Sequence, residues 1–412
     1  MAEVLGETDR ICYRGEGGAG FVIGVKRSDG KRFVWKFKKG VYSCPEQSAY
    51  AAETALHVRQ TCTRLIGEKY LHDIQLVKLN QSQLTYLLKI RHAGQALGED
   101  VSWSDWKSKC AIEFEPNNGT KSTSDDCSVV VIQLPDVTHL PLKQVPRSDL
   151  GPVLAIEIKP KFGVMASDWF RQSPRAAAVP PFCVSCTQQM HRVQQGKFAL
   201  DYLYCPMEMF SGNADRMSRT VLELIRVPHN HLKMFQDGVF LYGNTTGAFY
   251  ELEIHLRRAL DLSAEDTARM LSALFAGYQS PSAFTHLLPN SIAARLRSAQ
   301  ACDRIGTLQA YRLYQSINSS DQPIVHPDLV DYLTAGTFKD CSVMFTLQRI
   351  NQSMVSDRSA IFTVDADHVI RYAISLIDLD MKSMEKVEAN YRRFVDACEY
   401  AKRRTDRKPC CE

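Results

Sequence analysis

Alternation of apolar and polar positions opens the chain. Phe21-Val-Ile-Gly-Val25 and Arg32-Phe-Val-Trp-Lys-Phe37 flank the turn signal Asp29-Gly30 and predict a β-hairpin. Residues 46–65, rich in Ala, Glu, Gln and Leu, predict a helix that stops before Gly67. The runs Leu76-Val-Lys-Leu79 and Leu84-Thr-Tyr-Leu-Leu88 predict a mixed strand region through Ile90, whereas residues 92–128 are polar, carry little periodicity and read as a surface insertion. The continuous apolar run Val129–Leu134 predicts a buried strand running into Pro135-Asp136, where a connection between lobes is expected. A second such strand, Val153–Ile158, leads into Lys159-Pro-Lys161. After a proline-rich segment at 174–181, helices are expected at 213–227 and 263–278, strands at 342–347 and 370–377, and a basic closing helix at 382–403.

A chain of 412 residues exceeds the size at which one core usually stops growing, so two lobes are expected, 1–135 and 136–412, with a cleft between them. Hydrophobic residues at 45% and charged residues at 23% exclude a disordered chain. No apolar run approaches the roughly 20 residues that cross a bilayer, and the first residues lack the basic and apolar regions of a secretory signal. An intracellular protein, in cytoplasm or nucleus, is therefore expected. The 13 cysteines are odd in number and widely spread, which favours reduced thiols. A net charge of +4 is too slight to argue for nucleic acid.

Three local patterns point to chemistry. Gly15, Gly17 and Gly20 fit G-x-G-x-x-G, which lets backbone N–H groups approach phosphate oxygens, and the following β-branched run makes a kinase-type phosphate loop a better fit than a dinucleotide turn. The spacing alone also fits an ordinary hairpin tip. Lys36, on the returning strand, is placed to reach back toward that loop, and Lys38 shares its face by the two-residue period. In Glu157-Ile-Lys-Pro-Lys161, lysines on either side of a proline at a strand end suit a polyphosphorylated ligand, although solvated lysines at a strand terminus fit as well. Cys183-x-x-Cys186 with His191 invites a zinc reading, but no second pair stands at a matching interval, so a complete site is not expected.

The segment Glu157-Ile-Lys-Pro-Lys-Phe-Gly163 resembles the E-x-K-P-K signature of the inositol-pentakisphosphate 2-kinases. Cys205-Pro-Met-Glu-Met-Phe-Ser-Gly212, Lys339-Asp-Cys-Ser-Val-Met344 and Ile377-Asp-Leu-Asp-Met-Lys382 are similar to further segments of that family in the same order, as are Tyr13-Arg-Gly-Glu-Gly17 and Gly67-Glu-Lys-Tyr70. The resemblance spans most of the chain outside roughly 92–128 and 250–335. It implies an α+β, two-lobed kinase-like fold, with a smaller N-terminal lobe built on an antiparallel sheet and a larger mixed C-terminal lobe. It also implies ATP and Mg²⁺ dependence, and transfer to the 2-hydroxyl of inositol 1,3,4,5,6-pentakisphosphate to give the hexakisphosphate, phytate. The alternative is a non-catalytic inositol-polyphosphate-binding protein on a degenerate kinase fold. A small-molecule partner is expected, with no membrane or specific nucleic acid, and a monomer.

Roles carried over by the resemblance follow the same segments. Asp340 would accept the proton of the attacking hydroxyl, and Asp378 would hold Mg²⁺, with Asp340 and Asp380 sharing it. Gly15, Glu16, Gly17, Gly18, Ala19 and Lys36 would cover the nucleotide phosphates, while Asp136 would stand at the hinge toward adenine and ribose and Glu157 would face the ribose or a lysine. Lys159 and Lys161 would grip substrate phosphates, Lys159 also nearing the transferred group, and Arg192, Asn230, Lys233, Lys382 and Lys386 would extend that grip. Lys382 and Lys386 stand four apart and share a face if helical. Arg192 and Lys233 have the two basic types exchanged relative to the family, and Asn390 stands near its tyrosine, with Tyr391 beside it.

Overall fold

The computed structural model describes every residue except 1–4, 18–19, 41–43, 94–100, 107–127, 141–149, 171–180, 199–203, 245–248, 282–283, 319–325, 352–359, 367, 405 and 411–412. Gly18 and Ala19 of the glycine loop, most of the proline-rich segment and most of the 92–128 insertion therefore lie outside the described residues. The described chain forms two compact units, residues 1–64 with 72–136 and residues 65–71 with 137–412. Each carries a six-stranded sheet whose pairings are all antiparallel, with helices packed on it, so the chain is α+β.

In the first unit the strands are β1 (Arg10–Glu16), β2 (Gly20–Lys26), β3 (Arg32–Lys38), β4 (Gln75–Asn80), β5 (Val101–Ser102) and β6 (Ser128–Pro135), in the order β4-β6-β3-β2-β1-β5. The expected hairpin is β2–β3, and its alternation is seen directly: Phe21, Ile23, Val25, Trp35 and Phe37 are buried. Phe21 and Phe37 face each other across the strands and stack at 4.8 Å. The buried Trp35 indole N–H donates to Gln133 (2.9 Å), whose amide in turn donates to Gln75 (2.8 Å), so three strands share one satisfied polar ladder.

Two expectations fail here. Residues 84–88 are not strand but part of the Gln81–Ala93 helix, because Leu84, Leu87 and Ile90 form one buried helical face and Asn80 caps it by accepting from the Gln83 N–H at 2.8 Å. Nor is 92–128 wholly a surface insertion. Val101 pairs with Ile11 at the sheet edge, and Trp103 and Trp106 are each 1% exposed, packed beside Tyr86 of that helix. A polar stretch with two large indoles thus closes the core of its unit.

In the second unit β7 (Val153–Ile158), β8 (His229–Gln236), β9 (Val239–Asn244), β10 (Ser342–Ile350), β11 (Ile361–Thr363) and β12 (Val369–Ile377) lie in the order β11-β12-β10-β7-β8-β9. The strands expected at 153–158, 342–347 and 370–377 are its central trio, buried and apolar as such strands should be. The helices at 214–226 and 264–276 start where Asn213 and Ser263 accept backbone N–H bonds, and the second stops at Gly277, whose φ of +97° only glycine adopts readily. The closing helix is Lys386–Ala401, shorter than expected, so Lys382 precedes it and does not share a helical face with Lys386. Among the described residues no helix is long and apolar enough to cross a membrane.

Candidate active site

Antiparallel pairing decides what meets at one edge of the second sheet. Ile158 pairs with Val343, and Ser342 pairs with Ile377, so the C-terminal ends of β7 and β12 both meet the N-terminal end of β10. Three segments distant in sequence therefore leave the sheet side by side: Lys159-Pro-Lys161 after β7, Asp340 just before β10 and Asp378 just after β12.

The side chains there form direct ion pairs. The Lys159 ammonium donates to Asp378 at 3.1 Å, and the two oxygens of Asp340 accept from Lys161 at 2.7 Å and Lys382 at 2.9 Å. Asp340 and Asp378 keep 50% and 39% of their side-chain surface open, while the lysines are 18–24% exposed. Burial works against ionising Asp340, but Lys161, Lys382 and Lys159 outweigh it and hold its carboxyl far below the usual range. Burial likewise opposes the charge on Lys159, yet Asp378, Glu157 and Asp340 raise its pKa; for Lys161 burial prevails and lowers it.

Backbone geometry supports these positions. Lys161 has φ +56° and Asp378 φ +60°, a left-handed conformation that costs a side-chain-bearing residue roughly 1–3 kcal/mol. The turn at Asp378 also ends the strand at Ile377, so Asp380 lies beyond the strand, and its carbonyl accepts from the Thr337 hydroxyl at 3.1 Å. Lys161 and the end of the Pro327–Phe338 helix are clamped together by Gln300, whose amide donates to both the Lys161 and Phe338 carbonyls, at 3.0 and 2.9 Å. The Tyr204 hydroxyl donates to the Pro160 carbonyl at 2.5 Å, between the two lysines. Beside Asp340, the Lys339 ammonium turns inward to the buried Asp303 carboxylate and lies 4.6 Å from the Phe162 ring and 5.3 Å from Trp169.

Glu157 is buried, accepts from the Ser342 hydroxyl at 2.7 Å and lies 3.8 Å from the Lys233 ammonium. Arg192, on the Val184–Gln194 helix, stacks its guanidinium 5.3 Å from Phe198 and lines a cavity of about 720 Å³ with Asn230, His191, Lys197 and Arg393. Its charge is felt at Lys161, and burial, Lys161 and Arg192 together keep His231 neutral well below its usual pKa. Lys386 is exposed on the first turn of its helix.

The glycine turn, Lys36 and Asp136 belong to the first unit. Gly15 has φ +139°, and the Gly17 N–H closes the turn onto the Gly20 carbonyl at 2.8 Å. A Cβ at Gly20 would lie 2.6 Å from the Phe37 carbonyl oxygen and 3.7 Å from Cε of Lys36, which sets the Lys36 side chain against the turn. Glu16 pairs with Lys39 at 2.7 Å. Asp136 is buried and accepts from Arg14 at 2.9 Å, a reach across β2 that the missing side chain at Gly24 makes room for.

Sequence reasoning missed Gln300, Tyr204, Asp303 and the inward role of Lys339. Lys339 stands in one of the motif segments and Tyr204 beside one, whereas Gln300 and Asp303 lie within 250–335, where no motif segment marks them. It also set aside zinc at Cys183 and Cys186. His191 is not among the ligand atoms that come together there, but Cys205 and Cys410 are, and the four sulfur atoms lie within 4.8 Å of one another.

A basic cradle with carboxylates set among its ammonium groups is an arrangement for handling a multiply charged anion. The family model for inositol-pentakisphosphate 2-kinase matches residues 13–393, and the chain belongs to that family. It is similar to the inositol-pentakisphosphate 2-kinase of Danio rerio, 26% identical over 193 residues that make up 46% of this chain and 38% of the relative. The proteins of that name from Oryza sativa subsp. indica and Arabidopsis thaliana are 23% identical over 257 residues and 21% over 271, covering 57% and 59% of this chain and 57% and 58% of theirs. The aligned stretches thus span about half the length of the curated relatives, 38–58%.

Proposed function

We propose that this chain transfers the γ-phosphoryl group of ATP to the 2-hydroxyl of inositol 1,3,4,5,6-pentakisphosphate, giving the hexakisphosphate. The observation that carries the reading is the set of ion pairs Lys159–Asp378, Lys161–Asp340 and Lys382–Asp340, which puts two half-open carboxylates inside a cluster of cations. Family membership supports the choice of substrate. Phosphoryl transfer needs little covalent chemistry from the protein and much positioning and charge compensation, which such a cluster supplies.

In this reading Lys159, Lys161 and Lys382, with Arg192, Lys233 and Asn230, take the substrate phosphates, and Lys386 reaches them from its helix. While three lysines surround it, Asp340 is a poor proton acceptor, because its pKa is held so low. Drawing those lysines onto phosphates raises its proton affinity, so Asp340 becomes a competent base for the attacking hydroxyl only once substrate is in place. The half-open oxygens of Asp378 and Asp340 are hard donors that fit Mg²⁺, with Asp380 next in sequence. When bound, Mg²⁺ would neutralise charge on the phosphate oxygens. The glycine turn and Lys36 hold the nucleotide phosphates, and Asp136 and Glu157 contribute on the nucleotide side through the partners they already have.

The test is an incubation of the full chain with ATP, Mg²⁺ and inositol pentakisphosphate, with products resolved by charge. Stoichiometric ADP and inositol hexakisphosphate are expected. Tight inositide binding with no new product would overturn the reading in favour of a binding protein.

A further inference from the structure

Lys339 and Asp340 are consecutive, yet their side chains go opposite ways. Asp340 keeps half of its side-chain surface open at the cradle, whereas the Lys339 ammonium runs inward to the Asp303 carboxylate, the two side chains of that pair being 10% and 1% exposed. The second oxygen of Asp303 accepts from the Gly306 N–H at 2.7 Å, so both oxygens are engaged. Besides Phe162 and Trp169, the Tyr332 ring also faces the ammonium, at 5.7 Å. Trp169 comes this close because residue 306 is glycine, with φ +68°, where a Cβ would stand 2.5 Å from the indole. On the other side of Asp340, Cys341 is fully buried, and the N–H groups of Asp340 and Cys341 both donate to the Thr337 carbonyl, at 3.1 and 2.9 Å. Asp340 is thus held between two neighbours that turn inward.

A buried ion pair is a poor means of stabilising a fold, because taking two charges out of water offsets most of their attraction, and apolar side chains of similar size do as well. Its place directly behind Asp340 gives it another use. We infer that Lys339 and Asp303 are positioning residues for the transfer step: their ion pair fixes the direction in which the Asp340 carboxylate leaves the chain. The inference rests on the proposed function. Gln300, three residues before Asp303, holds the Lys161 and Phe338 carbonyls. Residues 300–303 therefore support both members of the Lys161–Asp340 ion pair, Lys161 through its carbonyl and Asp340 through Lys339. A paired charge with both carboxylate oxygens engaged sets distance and direction together, which apolar packing alone does not. A reacting group displaced by about 1 Å can lose about a hundredfold in rate.

The test replaces the pair as a whole. Lys339→Met combined with Asp303→Leu puts apolar side chains where the charges were, and this double variant should keep a melting temperature close to that of the wild-type chain. Its kcat for transfer from ATP to inositol pentakisphosphate, counted per chain able to bind the inositide in a calorimetric titration, should fall about ten- to hundredfold. KM and the dissociation constant for the inositide should stay close to wild type. Lys339→Met alone leaves a buried carboxylate without its cation and should lower the melting temperature as well as kcat. Wild-type kcat in the folded double variant, or a loss confined to KM, would overturn the inference. Failure of the double variant to fold would overturn it too, because the pair would then hold the whole unit together and not Asp340 in particular. Absence of product from the wild-type chain would overturn the proposed function and this inference with it, whereas product from wild type alongside an equally active double variant would overturn the inference alone.

Discussion

In the first unit the candidate phosphate contacts are backbone groups of a glycine turn, whereas in the second they are ammonium groups that carboxylates already engage. The turn depends on the absence of a side chain at Gly20, where a Cβ would lie 2.6 Å from a carbonyl oxygen. The cradle depends on Lys159, Lys161 and Lys382 being held at the sheet edge by Asp378 and Asp340. Backbone N–H groups offer partial charge in fixed positions. Paired lysines offer full charge, but each must trade a carboxylate for a phosphate. The carboxylates keep 39–50% of their side-chain surface open while the lysines are only 18–24% exposed, so a ligand with several phosphates must replace the counterion that each lysine gives up. Under the proposed function, one unit would select by shape of approach and the other by total charge.

The largest expected effect comes from removing a carboxylate without changing its shape. Asp340→Asn should lower turnover by about 10²–10⁴-fold, the usual range for loss of a general base, as read in a product assay; wild-type turnover in that variant would remove Asp340 from the chemistry. Next, Lys159→Ala combined with Lys161→Ala should reduce kcat/KM for the inositide. Charge-assisted hydrogen bonds contribute about 1.5–3 kcal/mol each, hence roughly ten- to hundredfold per lysine. KM for ATP should stay put, and a parallel rise would erase the proposed division between the units.

Gly20→Ala sharpens the contrast from the other side. The added methyl should push β2 and β3 apart at a cost of about 1–3 kcal/mol and raise KM for ATP, while titration of the inositide should be unaffected. The smallest effect is that of salt. Raising ionic strength from about 0.1 to about 1 M shortens the screening length from about 10 to about 3 Å, and inositide binding should weaken more than nucleotide binding.

Much of the fold could be read from apolar runs. The three central strands of the second sheet and the β2–β3 hairpin were legible because buried strands are continuous or cleanly alternating. The Gln81–Ala93 helix was not, since Leu84–Leu88 fits either period over so short a run and only Asn80 as its cap decides the matter. Trp103 and Trp106 were hidden in polar surroundings although both are buried. At the site, Asp340, Asp378, Lys159, Lys161 and Lys382 were marked by motif segments, and antiparallel register explains why they converge. Gln300 and Asp303 were invisible, because a buried amide or carboxylate that clamps two loops leaves no periodic trace.

The most direct measurement is calorimetric titration of inositol pentakisphosphate, without nucleotide, into the wild-type chain, the Asp340→Asn chain and the Lys159→Ala, Lys161→Ala chain. If the lysines serve as exchangeable counterions, Asp340→Asn binds at least as tightly as wild type, since a competing carboxylate is gone, and the double lysine variant binds far more weakly. Equal affinity in all three chains would contradict the account.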